Sequence, residues 1–144
     1  MTAHVRREIS RPKISLPKLR QTAQKILDYV GEKQSELSLL LVSNRKIRTL
    51  NAKFRGKNQP TDVLSFPLEE RLPTGVRLLG DVVISLQQAQ KQAREKRKDF
   101  AHEVEWLLIH GILHLLGYDH ERSRKDERIM RTMERKIQRA LSRK

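Results

Sequence analysis

The stretch from Val104 to His120 reads VEWLLIHGILHLLGYDH and decides the fold. Up to Leu116 it is apolar nearly all round, which is typical of a helix buried at the centre of a protein. His110 and His114 stand four residues apart, so a helix presents both imidazoles on one face, with Cβ atoms roughly 5–6 Å apart. The stretch therefore predicts a central buried helix that carries two neighbouring histidines.

A third histidine, His120, follows Gly117, where a left-handed residue can end the helix and turn the chain back. Three neutral imidazoles without a cysteine leave one coordination position open to water, the pattern of a catalytic rather than a structural zinc site. We expect one zinc ion per chain on His110, His114 and His120, and another divalent transition metal would suit the same ligands. A lone histidine in an apolar helix is usually structural, but three at this spacing favour metal binding.

Length and composition limit the class of protein. At 144 residues the chain is expected to form a single domain, residues 1–144, with a largely aliphatic core because only 4% of its residues are aromatic. The absence of cysteine excludes disulfides and thiolate metal sites. No apolar run approaches the ~20 residues of a membrane span, and the first residues lack the apolar segment of a signal peptide. We therefore expect a cytoplasmic protein that does not act at a membrane.

The net charge is +14, from 31 Lys+Arg against 17 Asp+Glu. Such an excess favours a polyanionic partner, most commonly nucleic acid. The surfaces of thermophilic proteins are also rich in lysine and arginine, but they usually gain glutamate as well. Thermophily would therefore explain a high density of charged residues better than the excess of positive over negative residues seen here. The basic surface is expected to include the following residues, besides the last helix: Arg55, Lys57, Arg94, Lys96, Arg97 and Lys98.

The order of strand and helix patterns predicts an α+β domain with a mixed sheet of about four strands packed with helices. Strands are expected at 5–9, 36–42, 61–66 and 78–84, the third ended by Pro67 and the fourth interrupted at Gly80-Asp81. Helices are expected to start at Ser15, at Ser43 or Asn44, at Ser85, at Asp99 and at Ser123, each of which can cap a helix. Gly111, inside the central helix, predicts close approach of another backbone.

Three segments resemble the YbeY family of endoribonucleases, the bacterial ribosomal-RNA maturation factors. They are Leu50-Asn-Ala-Lys-Phe-Arg-Gly-Lys57 running into Pro60-Thr-Asp-Val-Leu-Ser-Phe-Pro67, then Leu79-Gly-Asp-Val-Val-Ile-Ser85, and the histidine stretch. The resemblance implies a zinc-type ion on the three histidines and cleavage of single-stranded precursor ribosomal RNA, especially at the 3′ end of 16S rRNA. It also implies a part in ribosome quality control, with the small ribosomal subunit and assembly factors as partners, and a functional arginine at Arg55.

Cleavage of a phosphodiester needs a nucleophile and a means of neutralising charge on the attacked phosphate. A histidine-bound zinc can serve either purpose, and Arg55 can clamp a phosphate oxygen, so Arg55 and His114 are the candidate catalytic residues. Either water or the RNA 2′-hydroxyl can be the attacking group. Glu103, Asp119 and Glu121 are candidate hydrogen-bond partners of an imidazole, although a solvated or capping role suits each equally well. Asp62 and Asp81, near strand ends, are expected to be structural.

Two other functions fit parts of the sequence. The spacing H-x3-H-x5-H is that of metzincin metalloproteases, but Gly111 stands where their general-base glutamate follows the first histidine, and the charge is unusually high. A non-catalytic RNA-binding assembly factor with a structural metal needs no general base. An assay on RNA and on a protein substrate distinguishes these alternatives.

Overall fold

The computed structural model describes residues 3–119 and 121–142, without the side chain of Glu69. The predicted α+β architecture is confirmed: the described strands form one mixed sheet in the order β1-β2-β4-β3, in which β2 pairs in parallel with β1 and β4, and β3 pairs antiparallel with β4. The elements are β1 (Ala3–Arg7), α1 (Leu16–Tyr29), β2 (Ser35–Val42), α2 (Asn44–Arg55), β3 (Val63–Arg71), β4 (Arg77–Ser85), α3 (Leu86–Lys96), α4 (Phe100–Leu115) and α5 (Arg124–Ser142).

Serine side chains begin four of the five helices. Ser15, Ser43, Ser85 and Ser123 each accept a hydrogen bond from the backbone N–H three residues later, at 3.0–3.3 Å. These contacts satisfy amide groups that have no partner inside the helix, so they fix where each helix starts. Asp99 stands at the N-cap of α4 as expected, but among the described residues its side chain makes no capping hydrogen bond.

The sheet separates two apolar layers of unequal size. Alternate residues of β2 face opposite sides, so Leu39 and Leu41 join the larger layer while Val42 joins the smaller one. Helices α1, α3, α4 and α5 build the larger layer, and α2 covers the other face through Ile47. Helix α4 is therefore enclosed between sheet and helices, which confirms the burial predicted from its all-round apolarity.

Gly111 lets α4 lie close to the sheet. A Cβ atom at this position would lie 2.6 Å from Cγ1 of Val82 and 3.3 Å from Cγ2 of Val63. The neighbours are thus valine side chains, and the expectation of an approaching backbone was wrong. The Oγ atom of Ser65 in β3 donates a hydrogen bond to the carbonyl oxygen of Gly111 at 2.9 Å. Packing and hydrogen bonding together fix the helix one residue after His110.

The sheet corrects the predictions for three strands. Strand β3 continues through Pro67 to Arg71, because it lies at the sheet edge, where the missing N–H of proline is tolerated. Strand β4 also continues through Gly80, whose φ of +132° accommodates a register irregularity; a side chain there would overlap the carbonyl oxygen of Phe66. Strand β1 starts and ends two residues before its expected bounds, 5–9.

Asp62 makes the hydrogen bonds expected of a structural residue beside a strand. Its Oδ1 atom accepts from the backbone N–H of Val63 at 2.8 Å, and Oδ2 accepts from the Gln92 amide at 3.2 Å. Asp81 is exposed on β4. In the described part of the chain, no helix combines the length and apolarity needed to cross a membrane.

Candidate metal centre and active site

His110 and His114 lie in the last turns of α4 and turn their rings toward each other. Their Nε2 atoms are 3.2 Å apart, and the ring planes meet at 69°. Two nitrogens bound to one tetrahedral zinc at ~2.0–2.1 Å are separated by roughly 3.3–3.4 Å, so this spacing fits a shared ion. Imidazole suits divalent transition metals such as zinc.

Glu134, on α5, holds the first of these histidines in place. Its Oε2 atom lies 2.7 Å from Nδ1 of His110, and its side chain is only 4% exposed. A carboxylate at this position accepts a hydrogen bond from Nδ1, which fixes the ring and makes Nε2 the unprotonated nitrogen, the one that can bind a metal. Metal-binding histidines in proteins commonly have such a partner on the other ring nitrogen. The described geometry therefore fits a metal centre on His110 and His114.

Three carboxylates are suggested by the sequence as imidazole partners, and the structure places one of them away from the histidines and two beside them. Glu103 is fully buried and binds Lys96 through both carboxylate oxygens, at 3.0 and 3.3 Å, so it contacts a lysine rather than an imidazole or solvent. Asp119 accepts a hydrogen bond from the backbone N–H of Glu121 at 2.8 Å and lies 3.7 Å from Arg122. Both Asp119 and Glu121 line the cleft beside the histidines.

His120, the third predicted ligand, lies outside the described residues. Across 3–119 and 121–142, no cluster of three His, Cys, Asp or Glu side chains is placed to hold a metal ion. Two of the three expected ligands thus lie together in the described structure, and the expectation for His120 stays a prediction.

Arg55 and both histidines line one cleft of about 870 Å³. Arg55 occupies the last turn of α2, which ends at Gly56 in the left-handed conformation, with φ +69°. The structure therefore brings together the two predicted catalytic residues, Arg55 and His114. Lys57, two residues later, is exposed but is not among the described residues that line the cleft. The remaining lining residues are Phe54, Thr61, Asp62, Val63, Ser65, Phe66, Pro67, Gly117, Tyr118, Asp119, Glu121 and Arg122.

Two of the predicted RNA-binding cations, which follow the end of α3, lie away from this cleft. Arg97 and Lys98 line a second cavity, of about 550 Å³, at the opposite end of α4 from the histidines. At 1.5 Å per residue, that end is roughly 16 Å from His110 along the helix. Arg94 is exposed on α3, whereas Lys96 is ion-paired with buried Glu103. Arg97 and Lys98 thus lie at a cavity separate from the candidate active site.

Glu105 also lines this second cavity, and its carboxyl group has an altered pKa. Burial raises the pKa of its carboxyl above the ordinary value, 4.5, while the nearby charges of His102 and Lys25 act in the opposite direction. The effect belongs to the end of α4 that is remote from the histidines.

Comparison with known proteins places the chain among relatives that match it along nearly its whole length. A sequence model of the family described as Endoribonuclease YbeY matches residues 4–142. The endoribonuclease YbeY of Persephonella marina is 43% identical over 134 residues, which cover 92% of this chain and 88% of that protein. That of Aquifex aeolicus is 41% identical over 135 residues, 94% of this chain and 89% of that protein. The solution structure of a Thermotoga maritima protein, 30% identical, matches with a TM-score of 0.64 and covers 97% of this chain and 89% of that one. The chain belongs to the endoribonuclease YbeY family.

Proposed function

We propose that this chain, an endoribonuclease by family membership, uses zinc to cleave single-stranded RNA in the cytoplasm. We further propose that its substrate is precursor ribosomal RNA at the 3′ end of 16S rRNA, which links it to the small ribosomal subunit, its assembly factors and ribosome quality control. The observation that carries the proposal is the common cleft of Arg55, His110 and His114. The net charge of +14 supports a polyanionic substrate.

Within the cleft, Arg55 and the histidines have different tasks. Cleavage builds negative charge on the attacked phosphate, and the guanidinium of Arg55 offers a planar fork of donors to its oxygens. We propose that His110, His114 and His120 hold zinc, which, when bound, supplies Lewis-acid chemistry at the phosphate. Glu134 keeps the proton of His110 on Nδ1. The product ends identify the nucleophile, because attack by the 2′-hydroxyl leaves a 2′,3′-cyclic phosphate and attack by water leaves none.

The structure gives a reason against the metalloprotease alternative. In metzincins a glutamate follows the first histidine, and the position here is Gly111. Even a Cβ atom at Gly111 would lie within 2.6 Å of Val82, so this face of α4 has no room for a glutamate side chain. A general base of the metzincin kind therefore has no place in this fold.

One experiment separates the three functions. The zinc-loaded protein is incubated with single-stranded RNA and with casein, with and without a chelator, beside His114→Ala. His102→Ala is the matched control, since His102 is an exposed histidine on the same helix that lines the other cavity. We expect cleavage of RNA alone, lost with chelator and with His114→Ala but kept in His102→Ala.

Each of the other possible results would point to a different explanation. Cleavage of casein would establish a protease, and RNA binding without turnover would establish an assembly factor. Cleavage that survives in His114→Ala would point to a contaminating nuclease. Elemental analysis of alanine variants at the three histidines tests the zinc site separately, because each variant is expected to lose metal while His102→Ala retains it.

A further inference from the structure

Aromatic residues are concentrated in the histidine cleft. The chain has only three Phe, two Tyr and one Trp, and Phe54, Phe66 and Tyr118 all line this cleft. Phe54 is 56% exposed, and among the described residues it is the exposed large hydrophobic side chain that lines the cleft; the others are Tyr29, Leu68 and Ile129. A chain so poor in aromatics thus exposes one of them beside its candidate active site.

The exposed ring of Phe54 is held in position rather than left loose. It lies in the last turn of α2, and its ring centroid is 5.3 Å from that of Phe66, with the planes at 67°. Phe66 itself packs against the smaller apolar layer that contains Ile47 and Val83. A helix and a packed neighbour therefore support Phe54 while more than half of its surface remains open. This combination suits a contact surface for a flat apolar partner.

Cations flank the ring on both sides in sequence. The Nζ atom of Lys53 lies 5.2 Å from the Phe54 centroid, and Arg55 lines the same cleft. An aromatic ring beside cations can offer its open surface to a base, while the cations bind the phosphates that adjoin that base. Single-stranded RNA presents base faces and phosphates together, whereas the base faces of a duplex are already stacked.

We propose that Phe54 is a stacking platform for one unpaired nucleobase of the RNA whose phosphate Arg55 contacts. The inference rests on the proposed function and adds the contact by which the cleft selects single strands. Stacking on an aromatic side chain accepts any base because every base has a π-face. Phe54 is thus a positioning residue that holds the strand, while Arg55 and the metal centre act on the phosphate.

The test measures RNA binding in the presence of a chelator, so that no cleavage occurs. The ligands are a short single-stranded RNA and a series of the same RNA in which each member lacks the base at a different position. Phe54→Leu keeps an apolar side chain beside Phe66 but removes the π-face, and we expect at least about a 5-fold loss of affinity for the intact RNA. Phe54→Trp should bind at least as tightly as the native protein. Tyr29→Leu is the matched control, because Tyr29 is an exposed aromatic on α1 outside the described lining of the cleft.

The abasic series identifies the stacked position. When the RNA lacks the base at that position, Phe54→Leu should bind it as tightly as the native protein does. The base that Phe54 would contact is already missing, so the two losses of affinity are not additive. Affinity for duplex RNA should not change. Equal affinity of the native protein and Phe54→Leu would overturn the proposal, as would a loss that is the same at every abasic position or a Phe54→Trp variant as weak as Phe54→Leu.

The outcome is independent of the proposed function's own test. Failure of the zinc-loaded native protein to cleave RNA would refute the function, whereas normal cleavage with unchanged binding by Phe54→Leu would refute only the stacking contact. Melting temperatures guard against misfolding, and Phe54→Leu is expected to melt near the native value because the residue is mostly exposed.

Discussion

The Nδ1 atom of His110 lies 2.7 Å from the Oε2 atom of Glu134, 24 residues further along the chain. This contact joins α4 to α5 through a carboxylate that is almost fully buried. The orientation of one expected metal ligand therefore depends on the final helix.

Replacement of Glu134 by Gln should weaken metal binding by roughly 10–100-fold, because a neutral amide supports the imidazole less well than a carboxylate. Competition with a chromophoric chelator measures the change. Glu127→Gln is the control, since Glu127 is a partly exposed carboxylate on the same helix, paired with Arg131 at 2.9 Å. Equal metal affinity in the native protein and Glu134→Gln would show that the contact does not support the metal.

Arg55→Ala should reduce the rate of RNA cleavage far more than the affinity for RNA. A contact that strengthens as charge builds on the phosphate changes turnover more than binding. Metal content and melting temperature should stay near native, since Arg55 is exposed. Lys57→Ala provides the comparison for loss of a nearby cation, and Arg55→Lys should restore little because a point charge lacks the planar fork. Cleavage at the native rate by Arg55→Ala would make Arg55 one more binding cation.

The basic residues around α3 should separate into binding and structural groups. RNA affinity is expected to fall as salt rises, with a log–log slope of about −0.7 for each phosphate neutralised. Arg97→Ala should reduce that slope without changing the melting temperature. Lys96→Ala should instead lower stability, on the order of 1–3 kcal/mol, because buried Glu103 loses its partner. Unchanged melting of Lys96→Ala would contradict the structural role.

Gly111→Ala should destabilise the protein. Alanine favours a helix by about 1 kcal/mol over glycine, but its Cβ atom would lie 2.6 Å from stiff Val82, and overpacking of this kind costs about 1–3 kcal/mol. Denaturant unfolding measures the net loss. The double variant Gly111→Ala with Val82→Ala should lose less than the sum of the two single variants, because the second change removes the overlap. If the losses in the free energy of unfolding are additive, a Cβ atom at position 111 does not overlap with Val82.

Glu105→Gln should raise the melting temperature at neutral pH and leave it unchanged well below pH 4.5. Since burial raises the pKa of Glu105, the folded chain holds this proton more tightly than the unfolded chain does. The free energy of unfolding therefore decreases as the pH rises from 4.5 through the raised pKa of the folded chain. Glutamine copies the neutral form and avoids that loss. If the melting temperatures of the native protein and Glu105→Gln differ by the same amount at every pH, this account is wrong.

Features that depend on neighbours in sequence could be predicted. Serine caps act within three residues, so the starts of α1, α2, α3 and α5 follow from local chemistry. The all-round apolarity of α4 likewise predicts its burial, because no orientation of the helix would keep its surface in water. The pairing of His110 with His114 follows from helix geometry alone.

Features that depend on tertiary contacts could not be predicted in the same way. Pro67 lies within a strand because β3 is at an edge, and edge position is a property of the sheet. Glu134 did leave a signal, since it lies between Met130 and Ile137 on the buried stripe of α5, where an acid needs a partner. The sequence does not say that this partner is His110. Lys96 is likewise predicted to bind RNA, and the sequence does not predict its contact with buried Glu103.

Pro67 also has a consequence for how molecules of this protein meet one another. Exposed edges of β-sheets invite strands from other chains, and such pairing leads to aggregation. A proline in the edge strand β3 offers no N–H to an incoming strand, and Glu70 and Arg71 near its end add opposite charges. The same edge borders the histidine cleft, where we propose that the RNA strand binds. The protein can thus keep this side open to a nucleic-acid strand while resisting a polypeptide one.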